Sequence, residues 1–84
     1  MSNLIAKGLK IAAKDIKEGD FVRLKFEDQV EPEVFFWWYA KATENWGVLC
    51  LQQLDFDYEK NEDNCIYPAE SYEGYEIELL QNEN

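Results

Sequence analysis

The chain has 84 residues, 46% apolar and 15% aromatic, with 8 basic against 18 acidic side chains and a formal charge of −10. That size is a single domain, residues 1–84, with little core to spare, and the apolar share excludes an acidic disordered tail. The charge argues against a nucleic-acid or anionic-membrane surface, and the absence of His removes the Ser-His and Cys-His pairs of nucleophilic catalysis.

The first segment, MSNLIAKGLKIAAK, places Ile5, Leu9, Ala12 and Ile16 at helical spacing with lysines between them. The spacing predicts a short helix within residues 2–14, against the competing reading of LKIAAK as a strand. No secretory signal pattern and no run of about 20 apolar residues is visible, so the expected location is cytoplasmic, away from the membrane. In that compartment Cys50 and Cys65 are expected as free thiols, although their number permits one bridge.

Glu18-Gly19-Asp20 reads as a turn, after which Val22, Leu24 and Phe26 alternate with Phe21, Arg23 and Lys25. This is a half-buried strand over residues 21–26. The stretch DIKEGDFV resembles the entry turn of many small β-barrels, with Ile16 tucked under the first strand. EDQVEPE is a polar loop, residues 34–42 a second strand, Thr43–Asn45 a tight turn and residues 46–52 a third strand completing a hairpin. DFDYEKNEDN is an acidic loop, residues 65–69 and 75–80 hold the last short strands, and residues 81–84 are a frayed tail. About five strands with turns between them predict a mainly β fold, a small SH3-like barrel or a strongly bent antiparallel sheet. Val22, Leu24, Phe36, Trp38, Val48 and Ile77 are the expected core, with Cys50 beside them.

The run Phe35-Phe36-Trp37-Trp38-Tyr39 must split between two faces of a strand. Phe36 and Trp38 are expected inside, and Phe35, Trp37 and Tyr39 outside unless the N-terminal helix covers them.

Charge is uneven along the chain. Residues 1–25 carry six basic and three acidic side chains, whereas residues 26–84 carry two basic and fifteen acidic ones. Asp55, Asp57 and Glu59 recur at every second position, as do Glu31 and Glu33, and Glu76 and Glu78. In extended chain such carboxylates stand about 6.6 Å apart on one side, a spacing comparable with successive phosphates of a nucleic-acid strand. The same loop matches an EF-hand at its first, third and fifth places, but has Lys60 where Gly is required and Ile66 where Glu is required. No metal or other cofactor is therefore expected, and no zinc spacing or phosphate loop is present.

These features predict a non-enzymatic protein that binds a basic, nucleic-acid-binding protein without binding nucleic acid itself. In its sharpest form this is an inhibitor that mimics nucleic acid, of the viral or mobile-element kind. The acidic contacts would be Asp55, Asp57, Glu59, Glu62, Asp63, Glu70, Glu73 and Glu76, and the aromatic ones Trp37, Tyr39, Phe56, Tyr58 and Tyr72. Two alternatives are an adaptor docking through its aromatic patch and a binder of a small ligand or cation.

Overall fold

The structure, a computed structural model, describes residues 4–28, 30, 31, 33–54 and 67–82. Six strands form one antiparallel sheet: β1 (Leu4–Lys10), β2 (Phe21–Glu27), β3 (Phe35–Asn45), β4 (Val48–Gln53), β5 (Tyr67–Pro68) and β6 (Ile77–Asn82). Their order across the sheet is β1-β6-β2-β3-β4-β5. Two short 3-10 turns, Ala13–Asp15 and Ala69–Tyr72, lie in the connections before β2 and before β6 and touch each other. Among the described residues the sheet keeps two ends, at β1 and β5, and no pairing joins them.

The expected N-terminal helix is instead β1, paired to β6, with only a 3-10 turn after it. The register explains the misleading period. Ala6 stands opposite Leu80 and Leu9 opposite Leu79, so Lys7 and Gly8 are extra residues in a bulge. Gly8 has φ +73°, a left-handed conformation that glycine adopts without a Cβ penalty. Ile5 and Leu9 thus share a strand face at a separation of four, which imitates a helical turn. β6 also runs through Gln81 and Asn82, opposite Ile5 and Leu4, where a frayed tail was expected.

The hairpin from β3 to β4 turns at Trp46-Gly47, not at Thr43–Asn45. Both turn residues have positive φ, +55° and +79°, as a two-residue type I′ turn requires. Thr43-Glu44-Asn45 has no glycine to supply that geometry. The displaced turn moves the pairing, so that Leu51 faces Ala42 and Leu49 faces Glu44, while Cys50 faces Thr43 and Val48 faces Asn45. Leu49 and Leu51 therefore take the places on the core face expected for Val48 and Cys50, because the side-chain period of a strand is two, although Cys50 is itself buried.

The core is Ala13, Ile16, Val22, Leu24, Ala40, Ala42, Leu51, Ala69 and Ile77. Val22, Leu24 and Ile77 are buried as expected and Trp38 packs half-buried against them. Phe36 and Val48 are not core: each keeps about half its surface, 50% and 45%. Phe36 lies on the core face of β3, but near its open end, beyond the reach of the central side chains. Ile16 is buried where the barrel-like entry turn predicted it.

Candidate functional site

The odd residues of β3 form the outer face, and strand pairing sets a charged row against them. Arg23 lies opposite Tyr39 on one side and Glu78 on the other, and Lys25 lies opposite Trp37. The Arg23 guanidinium donates from Nε at 3.1 Å and from Nη2 at 2.8 Å to Glu78 Oε1. Its Nη1 reaches Tyr39 Oη at 3.5 Å. The same group sits 3.8 Å from the centroid of the Trp37 ring. Partial burial works against its charge, but the hydrogen bonds to Tyr39 and Glu78 and the negative charge of Glu78 outweigh that, and the Arg23 pKa lies above the usual arginine value. One step along, Lys25 Nζ stands 4.4 Å from the Phe35 ring and 3.8 Å from Glu76, which also meets Lys10 at 3.4 Å.

Trp37 and Tyr39 are thus outside, as their parity required, yet half-buried. Arg23 and Lys25 of β2 stand over Trp37, and Arg23 also reaches Tyr39; among the described residues no helix covers them. Glu76 and Glu78 are turned inward electrostatically, each held by cations of this chain. Glu70 and Glu73 are exposed on and after the second 3-10 turn.

The even residues lead elsewhere. Phe26 is the hub of an aromatic cluster at the open end of β2 and β3. It stacks on Phe36 at 5.7 Å and meets the edges of Trp38 at 6.1 Å and Tyr72 at 6.3 Å. Tyr75 lies 5.3 Å from Phe26 and 5.7 Å from Tyr72, which also lies 5.6 Å from Trp38. Offset and edge-to-face rings at such distances attract by about 0.5–1.5 kcal/mol per pair beyond burial. The cluster is therefore a rigid platform. Its inner members are Phe26, Trp38 and Tyr72, and its rim rings, Phe36 and Tyr75, face solvent.

Beside the rim is an open depression lined by Phe26, Phe35 and Tyr75, by Glu27, Glu73 and Glu76, and by Lys25, whose ammonium stands over Phe35 and beside Glu76. Phe35 comes to it from the outer face and is 52% exposed. Aromatic faces carry negative potential, and carboxylates add to it. Lys25 already takes the Phe35 face and Glu76, so the part left to an incoming lysine or arginine side chain, a cation with an apolar stem, is Tyr75 with Glu27 and Glu73.

Of the predicted contacts, Asp55, Asp57, Glu59, Glu62, Asp63, Phe56 and Tyr58 lie outside the described residues, as does Cys65. Glu73 and Glu76 come together at the depression and Tyr72 packs in the cluster against its Phe26 and Tyr75, whereas Trp37 and Tyr39 belong to the covered outer face. Phe35 is exposed as its parity predicted but was not among the expected contacts, Phe36 was expected inside, and Trp46 was placed at the start of a strand instead of in the turn. Trp46 is 95% exposed at the tip of the β3–β4 hairpin. The Gly immediately after it was the available signal, since glycine marks the second place of a two-residue turn.

Among the described residues no group of three or more His, Cys, Asp or Glu is arranged to hold a metal ion, and no helix is long and apolar enough to cross a membrane. Cys50 is a buried free thiol pointing its Sγ at the Val48 carbonyl oxygen, 3.5 Å away. No protein-family model, curated protein or solved structure matches this chain.

Proposed function

We propose that this protein is a small acidic binding module that docks on a basic protein, of the kind whose groove holds nucleic acid, and so competes with nucleic acid for it. The observation that carries this reading is the end of the sheet, where exposed Phe35, Phe36 and Tyr75 adjoin Glu27 and Glu73. Aromatic rings supply contact area at low entropic cost, and carboxylates select the sign of the partner. The charge of −10 supports attraction at long range. The row Asp55, Asp57 and Glu59 contributes to that field in this reading. Direct nucleic-acid binding is disfavoured, because Arg23 and Lys25 are committed to Glu78 and Glu76. The architecture that suits this role is the SH3-like one, a strongly curved sheet, and the contact between the two 3-10 turns supports such curvature.

An adaptor held by apolar contact alone would use the same rings without the carboxylates. The test immobilises the full chain and passes over it the basic DNA-binding protein fraction of the producing cell. Retention should fall sharply toward about 1 M salt, where the Debye length shrinks to about 3 Å, and duplex DNA should displace what is held. Glu27→Gln with Glu73→Gln should weaken retention with the fold intact. Retention indifferent to salt, DNA and this double change would overturn the acidic reading in favour of the adaptor.

A further inference from the structure

Trp46 sits at the opposite end of β3 from Phe35 and Phe36. Eleven residues of extended chain separate the two ends by roughly 35 Å, comparable with the 34 Å long axis of the molecule. The Trp46 ring itself thus stands away from the aromatic depression, although Glu73 lines both that depression and the hollow beside the tip.

Two observations single it out. An indole almost wholly in water forgoes a large burial. It also occupies a backbone position with φ +55°, a conformation uncommon outside glycine and, for a bulky residue, an outlier. Asn-Gly or Gly-Gly would form this turn with less strain. The chain tolerates strain in order to hold an aromatic ring at a stiff hairpin tip, and such outliers cluster at functional positions.

Directly beside the tip is a hollow of about 400 Å³. Gly47 and Val48, the next residues after the indole, form part of its wall. Its apolar lining comes from Ala13, Ile16, Leu49 and Ala69, and Lys14, Glu70 and Glu73 bring one positive and two negative charges to it. A projecting ring and an apolar hollow thus stand side by side on one molecule.

We propose that they are the two halves of a symmetric contact, in which Trp46 of one copy enters the hollow of a second copy and the reverse. Adjacency is the argument for a second copy. A two-fold axis passing beside the hairpin tip satisfies both insertions at once, as an isologous interface requires. The mixed charge of the lining fits the same operation, since Lys14 can meet the second copy's Glu70. The net charge of −10 opposes the contact at long range, so salt strengthens it. That is the reverse of the salt effect on docking to a basic partner.

The test is analytical ultracentrifugation of the full chain over a concentration series, at low and at about 0.5 M salt. The mass should rise from the monomer value of 9.9 kDa toward twice that, at lower concentration in the higher salt, with Trp fluorescence shifting to the blue as the indole leaves water. Trp46→Asn leaves an Asn-Gly turn, keeps the fold and should weaken association at least about thirtyfold, the loss expected of a hot-spot residue. Val48→Lys, at an exposed site in the hollow's wall, should weaken it too. A wild-type chain that stays at the monomer mass throughout overturns the proposal, as do two folded variants that associate like wild type. A monomer whose Trp46→Asn variant fails to retain the basic protein fraction would assign Trp46 to that partner, and would equally overturn the dimer.

Discussion

Arg23→Ala isolates an arrangement on the outer face that ties β2, β3 and β6 together. The change removes two short hydrogen bonds to Glu78, the contact with Tyr39 and the cation over Trp37. It leaves the Glu78 carboxylate, only 8% exposed, without its countercharge. Breaking a buried pair costs about 3–5 kcal/mol, chiefly through the charge left behind. The Arg23 side chain retains a fifth of its surface in water, so the bottom of that range applies, about 3 kcal/mol. For a domain this small each kcal/mol lowers Tm by about 4–8 °C, giving a fall of roughly 10–25 °C. Thermal and urea unfolding followed by circular dichroism would measure it, in a cycle with Glu78→Ala and the double variant. The double variant should cost clearly less than the sum of the singles, with a coupling of about 1.5 kcal/mol or more. Lys10→Ala is the internal control: its pair with Glu76 is exposed on both sides, and such pairs contribute at most about 1 kcal/mol. A coupling below about 0.5 kcal/mol would mean that Arg23 and Glu78 are held by the sheet rather than holding it, and the reasoning would fail.

Other expectations follow from burial and turn geometry. Leu24→Ala should cost about 2–5 kcal/mol in urea unfolding, because its side chain is wholly enclosed, while Phe36→Ala should cost far less and act mainly on retention of the basic protein fraction. Trp46→Asn should raise Tm slightly at high dilution, by relieving a left-handed bulky residue, an effect of about 0.5–1 kcal/mol. Gly8→Val should destabilise the pairing of β1 with β6, read as faster amide exchange in Ile5 and Leu80, because φ +73° is closed to a β-branched residue.

Much of the sheet was legible because its central strands announce themselves by alternation. Val22 and Leu24 against Arg23 and Lys25 could be little else, and the parity of Phe35 to Tyr39 assigned each ring to its face correctly. What escaped is where local rules are broken by single residues. Gly8 inserts a bulge that turns a strand period into a helical one, and Gly47 draws the hairpin turn past Asn45, exchanging the faces of β4. Side-chain cover was also out of reach. Whether Trp37 faces water or Arg23 depends on which residue β2 places opposite Tyr39, and register is a property of two strands together. The candidate site suffered likewise: Glu73 and Tyr72 were named from charge and ring type, but their meeting with Phe26 and Phe35 needed the fold.

The sheet order has a kinetic consequence. β2, β3 and β4 follow one another in sequence and pair as they are made, by closing short loops. β6 fits between β1 and β2, and its contacts with β2 join residues 55 positions apart. Loop closure over that span is costly and slow relative to hairpin formation. During synthesis the meander of β2, β3 and β4 therefore exists before the strand that covers Val22 and Leu24, and Arg23 waits for Glu78. The pair is a latch fastened late. Loss of Arg23 should then speed unfolding while leaving the refolding rate almost unchanged, so that the lifetime of the assembled sheet, more than its speed of formation, depends on this guanidinium.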